Sequence, residues 1–170
     1  GLATAQNPVV LMVSGGSDSA ALAYLANGLW ESGNLGPIAL FHMNHRLRGQ
    51  DAEDDADFVR DIASALNQPF FLRDVDIAAL AQATGGNIEA VAREERYRAA
   101  HEVMGQLCMQ ANAPTQDGRI FTAHTRDDRV ENFYMRRIVG TGPGGFRGMR
   151  YRNGQVCRPC LDLSREELQT

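Results

Sequence analysis

Lysine is absent from this chain of 170 residues; all 17 of its basic side chains are arginine. That excludes the Lys-bearing nucleotide loop G-x-x-x-x-G-K-[ST]. Cysteine is scarce and odd in number, with three residues. This excludes a disulfide framework and predicts a reducing, cytoplasmic setting. No apolar run is long enough to span a bilayer, so no membrane segment is expected. Internal repeats and low-complexity stretches are lacking, and there is no charged-then-apolar leader. A net charge of −4 argues against a surface that coats nucleic acid. The chain opens on Gly1 rather than Met. A capping-box pattern, Ser164 with Glu167, starts a helix near Arg165 that stops at Thr170. A processed or cut start is therefore expected. Residues 1–163 read as one catalytic domain, and 164–170 as the beginning of a helix leading into further protein.

What is present reads as an ordinary globular α/β domain. The apolar fraction is 44%, normal for a domain with a core of ordinary size. Charge is uneven: residues 1–118 hold seven Arg and fifteen acids, and residues 119–170 hold ten Arg and six acids. The basic last third suits either a polyanion or a solvated surface. Apolar runs at Val9–Val13, Ile38–His42, Phe70–Val75 and Ile120–Ala123 read as strands. Helical periodicity lies between them near 19–31, 52–66, 77–83 and 88–110, and again near 126–139. Such alternation predicts a parallel sheet with helices on both faces. Ligands of such sheets sit at the carboxyl ends of the strands. The acids Asp51, Glu53, Asp54 and Asp55 suit the dipole at a solvated helix start. Asn87 can cap the long helix that follows Gly85-Gly86.

Ser14-Gly15-Gly16-Ser17-Asp18-Ser19 joins the first strand to its helix. Glycine lets backbone approach a phosphate closely, and helix-start N–H groups point at an anion. The serines add hydroxyl donors. Asp18 repels phosphate, so it suits a metal or a cap. The plain alternative is a capped strand-to-helix turn, but two glycines and three serines converge on one helix start.

Further polar segments follow the other strands. His42, His45 and Arg48 belong to a loop after the second strand. On the long helix Arg96 falls inside the stripe Ile88, Ala92, Ala99, Val103 and Leu107. Its partner is then a buried carboxylate or an anionic ligand, and Arg93 lies on the stripe's edge. His124 follows the fourth strand. Asp127, Asp128 and Glu131 cluster on one side of a helix starting near Arg126, which suits Mg²⁺ beside phosphates or simply a helix N-terminus. Gly140, Thr141 and Gly142 lie in a glycine-rich turn, read as a mobile substrate loop or a connector. Cys157 and Cys160 form a C-x-x-C without a second pair to complete a zinc site. They read as inert thiols in a short buried strand, with a redox or sulfur-transfer dithiol as the alternative.

The loop Ser14–Ser19 resembles that of the N-type ATP pyrophosphatases (the PP-loop enzymes). Six runs in order also resemble the catalytic domain of the tRNA(Ile)-lysidine synthetase family: Ser14–Ser19, His42–Gly49, Asn87–Tyr97, His124–Glu131, Gly140–Met149 and Arg158–Leu168. The resemblance implies a five-stranded parallel sheet, ATP with Mg²⁺, free lysine, and a tRNA(Ile) with a wobble cytidine. It implies the bacterial cytoplasm and allows a homodimer. In that family the cytidine 2-oxo oxygen attacks the α-phosphate, and the lysine ε-amine then displaces AMP. The resemblance assigns Ser14, Gly15, Gly16, Ser17, Asp18, Ser19, His42 and His124 to ATP. It gives Asp18, Arg96 and Asp128 to catalysis, with Asp18 and Asp128 serving Mg²⁺ or orienting the lysine amine. It gives His45, Arg48, Arg93, Glu131, Gly140, Thr141 and Gly142 to the substrates. tRNA thiolases share the adenylation chemistry, but typically carry Lys where Ser17 stands here. A thiolase and a non-catalytic nucleotide-binding fragment are the alternatives.

Overall fold

The computed structural model describes residues 1–46, 49–139 and 148–168, with the side chains of 136–139 left aside. Strands and helices alternate as β1 (Val9–Met12), α1 (Ser17–Glu31), β2 (Ile38–Asn44), α2 (Gln50–Ala65), β3 (Phe70–Asp74), α3 (Ile77–Thr84) and α4 (Ile88–Gln110). There follow β4 (Arg119–Thr122), α5 (Arg126–Val139), β5 (Arg152–Asn153), β6 (Val156–Cys157) and α6 (Arg165–Leu168). The strands form one sheet in the order β3-β2-β1-β4-β6-β5. All neighbours pair parallel except β5 and β6. The strand order reverses at β1, which lies between β2 and β4, and a crevice forms outside the carboxyl ends at such a point.

Among the described residues the sheet has six strands, not the five expected. The additional one is β5, which pairs Arg152 with Cys157 and Asn153 with Val156. Gly154 turns the chain at φ +60°. Both residues of β5 are exposed on the sheet edge, so no apolar run marks them in sequence.

The pleat sorts the core into two layers. Val9, Leu11 and Val13 pack with Leu22, Ala23 and Ala26 of α1 and with Val59, Ile62 and Ala63 of α2. Val10 points the other way, toward Ala99, Val103, Met104 and Leu107 of α4. Alternate residues of a strand face opposite sides, so a strand covered on both faces reads as a continuous apolar run. Leu11, Leu40 and Ile120 are fully buried, and each contributes roughly 1.5–3 kcal/mol by leaving water.

The helix starts follow the local chemistry. The Asn87 side chain accepts from Glu89 N at 2.9 Å and Ala90 N at 3.2 Å, capping α4. Before it, Gly85 takes φ +66° at the end of α3, a left-handed cap that favours glycine. Ser164 and Glu167 exchange the two bonds of a capping box at 3.1 and 2.8 Å. Among the described residues no helix is long and apolar enough to cross a membrane.

Candidate active site

A cavity of about 580 Å³ opens at the carboxyl ends of β1, β2 and β4. It is lined by Ser14 and Gly16 of the turn after β1, by Ser17, Asp18 and Ser19 at the start of α1, by His42 of β2 and by His45 just beyond that strand. Asn44 of β2, Asp55 of α2, Arg93, Arg96 and Tyr97 of α4, Thr122 of β4, and His124 and Asp128 beyond β4 also contribute polar groups to its lining. Glu131 is not part of the wall; its side chain is 62% exposed. Arg48, Gly140, Thr141 and Gly142 lie outside the described residues.

The glycine loop builds its own frame. The Ser19 hydroxyl donates to Gly16 O at 2.9 Å and accepts from Ser14 N at 3.0 Å. It lies 3.2 Å from the Ser14 hydroxyl. Ser19 is buried, so its first duty is to shape the turn. Gly15 takes φ +88°, and a Cβ there would stand 2.5 Å from Asp55 Oδ1. Glycine is thus required twice over, by conformation and by the approach of α2. Asp55 thereby departs from the other acids of its run: Asp51, Glu53 and Asp54 are exposed, whereas Asp55 is half-buried and lines the cavity. Gly16 caps α1 with no side-chain bond, leaving the cavity end of the helix to backbone groups. Such a helix start attracts anions.

The histidines are anchored by hydrogen bonds. His42 Nδ1 donates to Val13 O at 2.8 Å, pinning the ring to the end of β1. Arg96 Nη2 donates to His45 Nε2 at 2.9 Å. Burial, then the Arg96 charge, then His42 hold the His45 imidazole down to about 4. His124 Nδ1 bonds the Thr122 hydroxyl at 2.8 Å. Burial and the nearby Arg158 guanidinium lower its pKa, with Asp128 opposing.

Arg96 is a correction to the expected burial. It is exposed, although Ala92 and Ala99 on the same stripe are buried. Ala99, Val103 and Leu107 pack on the sheet, but the first half of α4 carries the stripe past the strand ends. There the stripe faces the cavity instead of the core, and Ile88 at its start is 46% exposed. Arg93 lies over the Tyr97 ring at 5.2 Å.

Asp128 combines two of the roles read from sequence. Its Oδ2 accepts from Thr125 N at 2.8 Å and from the Thr125 hydroxyl at 3.0 Å, a helix cap. Its Oδ1 accepts from Arg165 Nη2 at 2.6 Å. Burial draws its carboxyl upward, but the Thr125 N–H and Arg165 outweigh it and hold it below the ordinary carboxylate range. Asp18 Oδ2 lies 3.6 Å from Nε of the same guanidinium. Two carboxylates from different helices thus face one cationic centre, an oxygen donor set that fits a hard divalent ion beside phosphates. Among the described residues no group of three or more His, Cys, Asp or Glu converges as a metal cage, so such an ion would draw its remaining ligands from phosphate and water.

Arg165, like Asp55, is a residue at the site that sequence reasoning missed. Only its place in the first turn of a capped helix was legible, and its carboxylate partners lie at least 34 positions away. Cys157 and Cys160 are free and buried. Burial, then the Asp18 charge, pushes the Cys160 thiol up to about 11, and burial raises Cys157.

Fold and site together define a doubly wound α/β domain whose glycine loop and helix start can cradle an anion at the switch point. More narrowly, the chain belongs to the PP-loop domain family, whose profile matches residues 3–170. It is 43% identical over 164 residues to the tRNA(Ile)-lysidine synthase of Thermus thermophilus, covering 96% of this chain and 29% of that protein. The tRNA(Ile)-lysidine synthase of Parabacteroides distasonis is 38% identical over 167 residues, covering 98% of this chain and 35% of that one. The chain therefore spans about a third of the length of these relatives. Among solved structures, the U34-tRNA thiolase NcsA from Methanococcus maripaludis superposes with a TM-score of 0.70 at 14% identity. That match covers 96% of this chain and 55% of the thiolase and concerns the fold.

Proposed function

We propose that this chain is the ATP-using catalytic domain of a tRNA(Ile)-lysidine synthase, working in the cytoplasm. The reaction adenylates the wobble cytidine of tRNA(Ile) and joins it to free lysine, with ATP going to AMP and pyrophosphate. One observation carries the reading: the Ser14–Ser19 loop, Arg96 and Asp128 open on one cavity at the strand ends. The names of the lysidine synthase relatives narrow the substrates. Residues 1–163 form the catalytic domain in this reading.

The parts act as follows. The loop from Ser14 to Ser19 holds the phosphates and stabilises charge developing on the departing pyrophosphate. His42 and His124, both anchored by hydrogen bonds, line the nucleotide pocket. Arg96 clamps the α-phosphate as the cytidine 2-oxo oxygen attacks it, with Arg93 beside it. Asp18 and Asp128 would hold Mg²⁺, which would supply Lewis-acid neutralisation of phosphate charge. Glu131, His45, Arg48, Gly140, Thr141 and Gly142 serve the lysine and tRNA in this reading. Thiolation fits less well, because sulfur chemistry needs an accessible thiolate and the paired thiols here are buried with raised pKa values.

The test is ATP binding to the 170-residue chain by calorimetry, and pyrophosphate release with a tRNA(Ile) transcript carrying a wobble cytidine. ATP should bind, release should depend on the transcript, and added lysine should appear on the cytidine by mass spectrometry. Asp18→Ala should fold and lose pyrophosphate release. A folded chain that binds no ATP overturns the reading. Release at the wild-type rate from Asp18→Ala removes Asp18 from catalysis.

A further inference from the structure

Arg165, the first residue of α6, lies among carboxylates brought by two other helices. Its Nη2 donates to Asp128 Oδ1 at 2.6 Å and its Nη1 to Glu131 Oε1 at 3.1 Å. Its Nε stands 3.6 Å from Asp18 Oδ2. Its backbone N–H donates to Asp127 Oδ2 at 2.8 Å. Asp18 comes from α1 and the other three acids from α5.

We propose that the Arg165 guanidinium stands in the divalent-cation position between Asp18 and Asp128, and that guanidinium and cation exclude one another there. The inference rests on the reading of Asp18 and Asp128 as the carboxylates that serve Mg²⁺. The oxygens decide it. Asp128 Oδ2 is already committed to the Thr125 N–H and hydroxyl, so Oδ1 is the oxygen turned outward. Arg165 takes that oxygen. A hard cation needs the same lone pairs at about 2.0–2.1 Å, closer than the guanidinium stands, so the two cannot share the position.

The arrangement also has a physical reason. Asp18, Asp128 and Glu131 without a counter-charge would repel one another and any incoming phosphate. A resident guanidinium neutralises them until the cation arrives. The Arg165 side chain is 44% exposed, so its leaving is screened and it enters water rather than a buried pocket. The rest of α6 need not move with it. Leu168 is buried in the core cluster that includes α1, and Arg126 of α5 holds Glu167 at 3.2 Å.

The experiment is a titration of the chain with Mn²⁺ alone, without nucleotide, followed by electron paramagnetic resonance. Wild type, Arg165→Gln, Arg165→Lys and Asp18→Asn are compared. Removing an exposed competing ion pair should tighten Mn²⁺ binding to Arg165→Gln by roughly fivefold. Arg165→Lys, which keeps charge but loses the fork, should fall between it and wild type. In wild type, Mg²⁺ should shift and broaden the Arg165 side-chain N–H resonance as the guanidinium enters water, a readout that needs no variant and is lost in Asp18→Asn. Equal Mn²⁺ affinity in wild type and Arg165→Gln, with loss in Asp18→Asn, overturns the exchange and leaves the cation site standing. Weaker binding by Arg165→Gln also overturns it, by making Arg165 a support rather than a rival. If no protein binds Mn²⁺ even after pyrophosphate is added to supply the phosphate ligands, the cation reading and the exchange fall together.

Discussion

Arg96 and His45 are 51 residues apart and meet at 2.9 Å on the cavity wall. The contact needs a neutral imidazole, because Nε2 must accept from the guanidinium. Exposure of Arg96 changes what its removal costs. No buried carboxylate is left orphaned, so Arg96→Ala should alter stability by no more than about 0.5 kcal/mol, as exposed positions do. If Arg96 clamps phosphate, ATP affinity should fall by about one to two decades, the loss of a charge-assisted contact. Calorimetric titration beside a melting curve separates the two, and unchanged nucleotide affinity sinks the clamp. His45 also makes a pH prediction. Unfolded, its imidazole titrates near 6.5; folded, only near 4. Between those values the unfolded chain binds more protons, so stability falls as pH drops from about 6.5 to 4 and is flat above. His124 acts in the same direction. Melting temperatures across that range should slope less in His45→Gln, which keeps an acceptor for Arg96 and cannot titrate. An identical slope would remove His45 as the source.

At the scale of elements, the turn from β1 to α1 and the helix it opens tolerate glycine replacement very differently. Gly15 has φ +88° and Asp55 against it, whereas a Cβ at Gly28 meets nothing within 4 Å. Gly15→Ala should cost about 1–3 kcal/mol of strain and weaken ATP binding by displacing the loop. Gly28→Ala, inside α1, should stabilise by about 0.5–1 kcal/mol through helix propensity. Urea denaturation of the two variants checks both signs, and a stabilised Gly15→Ala would mean the turn is not held as described. Helix α4 shows a subtler lesson. Its period of 3.6 was legible from Ala92 to Leu107, but the point where the stripe leaves the sheet was not. Periodicity records which side of a helix faces inward. It does not record whether a core or a cavity lies there.

For the whole molecule, the three cysteines test how the layers close. Cys108, Cys157 and Cys160 are each 0–3% exposed, and burial raises the pKa of each. Iodoacetamide at neutral pH should therefore leave the native chain unmodified and label all three thiols in denaturant. Fast native labelling of Cys157 or Cys160 would return the sulfur-transfer alternative to contention. Cys157→Ser with Cys160→Ser should cost about 1–3 kcal/mol per unsatisfied buried hydroxyl, while ATP binding persists.

The same scale separates local from tertiary information. Strand and helix positions, the Asn87 cap, the Ser164–Glu167 box and the glycine loop were all readable, because each depends on residues within a few positions of one another. β5 was not readable, since two exposed polar residues on a sheet edge leave no period. The order β3-β2-β1-β4-β6-β5 came only from how helices cover both faces of the sheet. That order carries β1 between β2 and β4 and so brings His42, His124 and the loop to one cavity. The meetings of Arg96 with His45, and of Arg165 with Asp18 and Asp128, likewise span 37 to 147 positions. Local pattern by itself determined which elements form and which loop could cradle an anion. Only packing decided which distant charges face each other, because that depends on where whole helices come to rest.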